Sequence, residues 1–291
     1  MQNNRCYLCR SQQLDIIHYG TRLNKGINVL KCRSCGLVQL DSIMQNPDKF
    51  YQQSGMRRSQ EQDVLKIRIA AESDDERRFI AMKSKIANKR VLDFGCGAGG
   101  FIRKASKVCS EVLGIELETR MRSLLNQEGY KCMGSLQEAL GNDNTGIFDV
   151  ITFFHVIEHL PDPVAILGGV RQLLSKDGVI VIEVPNCDDA LLSLYCCNAF
   201  ADFTYWESHL FLYNNSTLTM MIERAGYRVN FIRQVQRYPL FNTLFWLSKG
   251  KPGGHVKWNM MNDSLLDDVY GDLLARLGLA DTIIAEIEPI R

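Results

Sequence analysis

The stretch from Val91 to Ile102, VLDFGCGAGGFI, constrains this chain more than any other. An apolar pair and an acid lead into four glycines within six residues, and apolar residues resume at Phe101. Val91 to Phe94 has the composition of a buried parallel strand, the glycines form a tight turn, and Phe101 opens a helix. Glycine is required where the backbone turns sharply and comes close to a ligand with no Cβ in the way. Strand, glycine turn and helix in this order form the binding crevice of a doubly wound α/β sheet.

The glycines leave two ligands open. Gly95, Gly97 and Gly100 satisfy the dinucleotide pattern G-x-G-x-x-G, whereas Gly95, Gly97 and Gly99 give G-x-G-x-G. Asp93 separates them. A pyrophosphate beside that carboxylate would be repelled, whereas S-adenosylmethionine (SAM) has no phosphate and carries a cationic amine and a sulfonium. The expected SAM contacts are Asp93, Gly95, Cys96, Gly97 and Gly99. Glu116 and Leu117 join them from the end of a second strand, EVLGIE (Glu111 to Glu116), where an acid accepts ribose hydroxyls. Ser135 and Leu136 follow a short third strand, where an adenine pocket belongs.

The chain has 291 residues, 46% apolar and 23% charged, with room for one large domain or two smaller ones. A net charge of +1 gives no reason to expect an extended nucleic-acid surface. No apolar run reaches the roughly 18 residues of a membrane span, and no signal segment opens the chain, so a cytoplasmic location is expected. Cys6-x-x-Cys9 and Cys32-x-x-Cys35, joined by short β-like runs, predict a four-thiolate zinc ribbon with a closed structural site. His18 lies between the two pairs and is read as an ordinary ribbon residue. The expected division is a ribbon over 1–40, a connector with amphipathic helices over 41–89, and a SAM-binding domain over 90–291 with an insertion at 236–280. In the connector, Tyr51 is expected over the cofactor mouth.

Later strands are expected at 148–154, 179–184, 227–235 and 281–287. The last is placed at an edge of the sheet, antiparallel to 227–235. Lys176-Asp177-Gly178 reads as the turn that ends a helix over 164–174. Alternating strands and helices over 90–186 predict a Rossmann-like, mostly parallel sheet of seven strands with an antiparallel last strand.

At this point VLDFGCGAGGF, Glu116, FDVITFFHVIEHLPDP and HLFLYNNSTLTMMIERAGY together resemble a class I SAM-dependent methyltransferase. The resemblance implies that Phe154 and His155 wall the methionine side of the cofactor. The ribbon resembles that of a subgroup acting on sugar nucleotides, polysaccharides and natural products. It implies a small-molecule or saccharide acceptor, with His209 as general base and Glu158, Trp206 and Glu207 near the acceptor; His255, beside two glycines and two lysines in a Lys249–His255 insertion without counterpart in the minimal fold, is expected to bind a substrate phosphate. His is the natural proton acceptor near neutral pH. The subgroup's C-methyltransferases carry a Tyr-Glu-His-Leu-like segment. Here Ser208 separates Glu207 from His209, which places O-methylation ahead. The alternatives are C-methylation of a nucleotide-linked deoxysugar, RNA methylation using the ribbon, and an NAD-binding oxidoreductase. Nothing in the sequence fixes an oligomeric state.

Overall fold

The computed structural model describes residues 4–42, 52 and 64–290; Tyr51 lies outside them. Three short antiparallel strands come first: β1 (Leu14–His18), β2 (Val29–Cys32) and β3 (Val38–Leu40). One long helix, α1 (Val64–Ile86), leads to the main sheet. Five parallel strands follow: β4 (Arg90–Phe94), β5 (Glu111–Ile115), β6 (Cys132–Met133), β7 (Phe148–Phe154) and β8 (Leu174–Pro185). The helices between them are α2 (Gly100–Ala105), α3 (Thr119–Gln127), α4 (Leu136–Leu140) and α5 (Pro163–Val170). Two short helices, α6 (Ala190–Ser193) and α7 (Asn198–Thr204), precede β9 (Phe211–Leu212). Then come α8 (Asn215–Arg224), β10 (Tyr227–Val235), α9 (Leu240–Lys249), α10 (Gly254–Lys257), α11 (Ser264–Leu277) and β11 (Thr282–Pro289).

The seven-stranded order is β10-β11-β8-β7-β4-β5-β6. β11 pairs antiparallel with β10, as the sequence predicts, but also with β8. It is therefore interior, and β10 is the edge. The composition explains this: Thr282 to Ile287 is buried on both faces, whereas β10 exposes alternate residues. The Lys176-Asp177-Gly178 turn signal does not end an element. Leu174 pairs with Phe148 and Val179 with Val150, so the residues between them bulge while the strand continues. α5 starts where its caps dictate: Asp162 Oδ1 accepts from Ala165 N at 3.1 Å, with Pro163 in the first turn.

The small sheet is joined to the large domain. β3 pairs antiparallel with β9, and Leu40 N donates to Leu210 O at 3.1 Å. The core cluster accordingly runs without a break from Cys6, Leu37 and Val38 to Phe211, Tyr213 and the sheet residues Phe153 and Ile182.

Candidate active site

A cavity of about 470 Å³ opens at the carboxyl ends of β4 and β5, the end where a doubly wound sheet takes its ligands. It is lined by Gly95, Gly97, Glu116, Leu117, Ser135, Leu136 and His155, all expected from the sequence. Gly97 has φ +54°, and a Cβ there would meet no protein atom within 4 Å. Its open side is the cavity, so a ligand can lie directly on its backbone. The neighbouring glycines serve packing: a Cβ on Gly95 would come 2.4 Å from Val156, and one on Gly99 2.2 Å from Leu125. Glu116 closes the loop, its Oε2 accepting from Gly97 N and its Oε1 from Glu118 N, both at 2.7 Å. Each carboxylate oxygen keeps acceptor capacity for a ribose hydroxyl. An uncluttered glycine turn beside an anchored acid fits a nucleoside without phosphates, as SAM is.

Four residues expected to touch the cofactor do not line this cavity. Asp93 is buried behind the loop, where Oδ1 accepts from Thr152 Oγ1 at 2.6 Å. Burial pushes its carboxyl up to about 7, against that hydrogen bond. Cys96 turns its sulfur inward, 3.7 Å from that of Cys132. Gly99 faces α3. Phe154 points to the opposite face of β7, edge-on to Phe101 at 5.0 Å and beneath Arg78. Side chains along a strand alternate between faces, so a residue beside the crevice in sequence can point away from it.

A second cavity of about 490 Å³ adjoins the first, and His155 and His159 line both. It also takes in His209, Glu158, Trp206 and His255, four of the residues expected near the acceptor. Glu207 is buried but does not line it. Phe200, Phe203, Trp246, Tyr238 and Tyr270 supply aromatic walls, and Asn186, Asp189, Asn242 and Arg237 supply polar groups.

The shared wall is a charged lattice. His155, at φ +56°, is clamped by two carboxylates: Nδ1 lies 3.2 Å from Glu158 Oε1 and Nε2 3.2 Å from Glu183 Oε1. Burial and the Arg237 charge resist its protonation, but the two carboxylates prevail and hold it above its usual range. A bulky residue in that backbone conformation persists only where its surroundings hold it there. Glu183 also accepts from Arg77 Nη2 at 2.9 Å and Arg78 Nη2 at 2.7 Å, so α1 is bound to the end of β8. Burial opposes its ionisation, yet the hydrogen bond from His155 and the charges of Arg78 and Arg77 keep it well below the carboxylate range. His159 Nδ1 donates to Ser208 O at 2.7 Å. His209 lies 5.0 Å from His159 ring to ring, and burial, with that neighbour, pushes it down to about 3.

In the small sheet, the sulfurs of Cys6, Cys9, Cys32 and Cys35 lie within 4.8 Å of one another, with Cys6–Cys35 and Cys9–Cys32 both at 3.5 Å. A tetrahedral zinc with Zn–S near 2.3 Å spaces its sulfurs about 3.8 Å apart, so the cluster fits zinc. Cys32 is lowered to about 7: burial resists ionisation, but the N–H groups of Cys35 and Ser34 outweigh it. His18 stands apart, its Nε2 3.2 Å from Asp202.

A family model described as "Methyltransferase domain" matches residues 65–230, more than half of the chain. The chain belongs to this methyltransferase family. Relatives named ubiquinone biosynthesis O-methyltransferase include one from Psychrobacter cryohalolentis, 35% identical over 109 residues, which are 35% of this chain and 42% of that protein. Another, from Xanthomonas oryzae pv. oryzae, is 27% identical over 122 residues, 40% and 51% of the two chains. The match thus spans about half the length of these curated relatives. Among solved structures, the plantazolicin methyltransferase BamL superposes with a TM-score of 0.53 at 15% identity, covering 84% of this chain and 96% of that one. A SAM-dependent methyltransferase from Archaeoglobus fulgidus gives 0.50 at 19%, covering 77% and 94%. At these identities the likeness is one of fold.

Sequence reasoning missed three residues of this methyltransferase's second cavity region. Asp189 lines the cavity, and burial together with Asp281 pushes its carboxyl up to about 7. It caps the short helix α6, accepting from Leu191 N at 2.7 Å. Arg237, just past the end of β10, and Glu183, on β8, are far apart in sequence, and only the sheet order brings them to the wall. No helix among the described residues is long and apolar enough to cross a membrane.

Proposed function

We propose that this methyltransferase transfers a methyl group from SAM to a hydroxyl of a ring-bearing small molecule. The observation that carries the reading is the pair of adjoining cavities, one built on the glycine turn and the other aromatic, with His155 and His159 as their common wall. SAM, when bound, supplies an electrophilic methyl group with a good leaving group. The chain's own part is to orient and to exclude water. Gly97 and Glu116 seat the nucleoside. The aromatic side chains hold the acceptor ring, and Asp189, its carboxyl raised to about 7, is the proton acceptor on the cavity wall, with the His209 ring, held neutral by burial, as a second polar group of that wall. The names of the relatives support oxygen as the acceptor atom. The aromatic walls suit a phenolic ring or the apolar face of a saccharide, so both classes belong in the test. In the same reading Cys6, Cys9, Cys32 and Cys35 hold a structural zinc.

The test is thermal and chemical. SAM or its demethylated product should raise the melting temperature, by the equivalent of about 2.7 kcal/mol at a hundredfold excess over Kd, and NAD should not. Radiolabelled methyl from SAM is then offered to a panel of catechols, phenols and sugar nucleotides. Binding of NAD in place of SAM would refute the reading.

A further inference from the structure

We infer that the acceptor carries an anionic group, a carboxylate or a phosphate, and that Arg22, on the loop between β1 and β2, holds it at the mouth of the acceptor cavity. This rests on the proposed transfer to a ring-bearing acceptor and adds that acceptor's charge. Among the described residues, two arginines and no lysine line the cavity. Arg237 is already neutralised, with Nη1 3.0 Å from Asp74 and Nε 3.3 Å from Asp281. Arg22 pairs with no carboxylate among the described residues. Its guanidinium lies instead over the ring of Phe203, 4.1 Å from the centroid, and Phe203 lines the same cavity.

The loop is built to hold Arg22 in that place. Thr21 is buried, and its hydroxyl donates to Asn24 O at 3.0 Å and accepts from Asn24 N at 3.2 Å. Arg22 N donates to Tyr205 O at 2.7 Å, which ties the loop to the chain just after α7. The backbone is thus fixed, and the Phe203 ring fixes the plane of the guanidinium. Stacking uses the face of that group and leaves its N–H edge free. The edge is a planar fork of donors that matches a carboxylate or a phosphate with two parallel hydrogen bonds. Asp202, the acid next to Phe203 in sequence, is engaged by His18 Nε2 at 3.2 Å.

Burial gives the cavity a direction. Arg22 is exposed, whereas Asp189 and His159 are buried. The free cation therefore stands at the mouth, and the proton acceptor and the wall shared with the cofactor lie deeper. An acceptor placed between them has its anion at Arg22 and its hydroxyl at the methyl end. The opposite orientation would set the anion against Asp189 and Glu158, where like charge repels it. His255, also exposed, does not fit the role of anion holder. Asn242 Oδ1 accepts from its backbone N at 3.2 Å and from Nδ1 at 3.3 Å, and burial makes the ring harder to protonate. A neutral imidazole whose one proton is committed to Asn242 has no N–H left for an anion.

The test is calorimetric binding to the full chain saturated with demethylated SAM, so that no turnover is needed. The probes are matched pairs: protocatechuate against its amide, and phenyl phosphate against phenol. The wild type should prefer the anion at least tenfold in one pair, and the pair that shows it tells carboxylate from phosphate. Arg22→Gln should lower affinity for that anion at least tenfold without lowering affinity for its neutral partner. Arg22→Lys, which keeps the charge but not the fork, should restore part of the preference. Wild-type protein that binds neither anion, or binds anion and neutral partner equally in both pairs, overturns the inference. So does R22Q that keeps the full preference. An anion preference lost in R22Q, in a protein that methylates no hydroxyl, would count against the functional reading alone. Methylation of neutral rings with no anion preference would count against the role of Arg22 alone.

Discussion

A side chain at Gly97 would stand where the cofactor is proposed to lie, because nothing of the protein is within 4 Å of that point and φ is +54°. Gly97→Val should therefore abolish the melting-temperature rise caused by demethylated SAM, with far-UV circular dichroism unchanged. A full response in the variant would mean that the cavity is not the cofactor's. Asp93 has a different consequence. Its carboxyl, 3.8 in an ordinary setting, is raised to about 7 by burial. The unfolded chain releases this proton near pH 4 and the folded chain holds it to about pH 7. The folded state binds the extra proton within that window, so stability falls as pH rises through it and then levels off. Asp93→Asn, which keeps the contact with Thr152, should gain on the wild type across the window by roughly 2–4 kcal/mol. Urea unfolding at pH 5 and pH 8 measures the gain, and equal differences at both would exclude it.

Elements are held together here by what each buries. β11 lies between β8 and β10, with Ile287 fully buried. Ile287→Ala should cost about 2–5 kcal/mol in denaturant unfolding, the range for a core truncation. A cost near zero would mean that the strand is dispensable. The sequence showed this strand and its antiparallel partner through their apolar runs, but not its interior position. Pairing with β8 is a long-range fact that no local pattern carries. The glycine turn, Glu116 and the pair Ser135-Leu136 were legible because backbone need and chemistry coincide within a few residues. Phe154 and Cys96 were misplaced because strand facing and loop direction decide where a side chain points. Asp189 was hidden because a cap and a cavity-lining acid look alike in sequence.

At the scale of the whole molecule, the cysteine-bearing sheet braces the acceptor wall. Arg22 N donates to Tyr205 O at 2.7 Å, His18 meets Asp202, and β3 pairs with β9 just past His209. Removing the proposed zinc with a chelator should lower the main melting transition and change Trp206 fluorescence in the same step. A separate early transition, with the main one unmoved, would show the two parts to be independent. The β3–β9 pairing also sets a schedule for the growing chain. The strand that β3 needs is made roughly 170 residues after it. At about 5–20 residues per second, this amounts to some 10–30 s on the ribosome. For that interval β3 presents an open edge and the cysteine cluster stands without its brace. Early capture of the proposed zinc would protect the nascent segment from pairing with a neighbouring chain, so metal supply during translation should govern the yield of folded protein more than metal added afterwards.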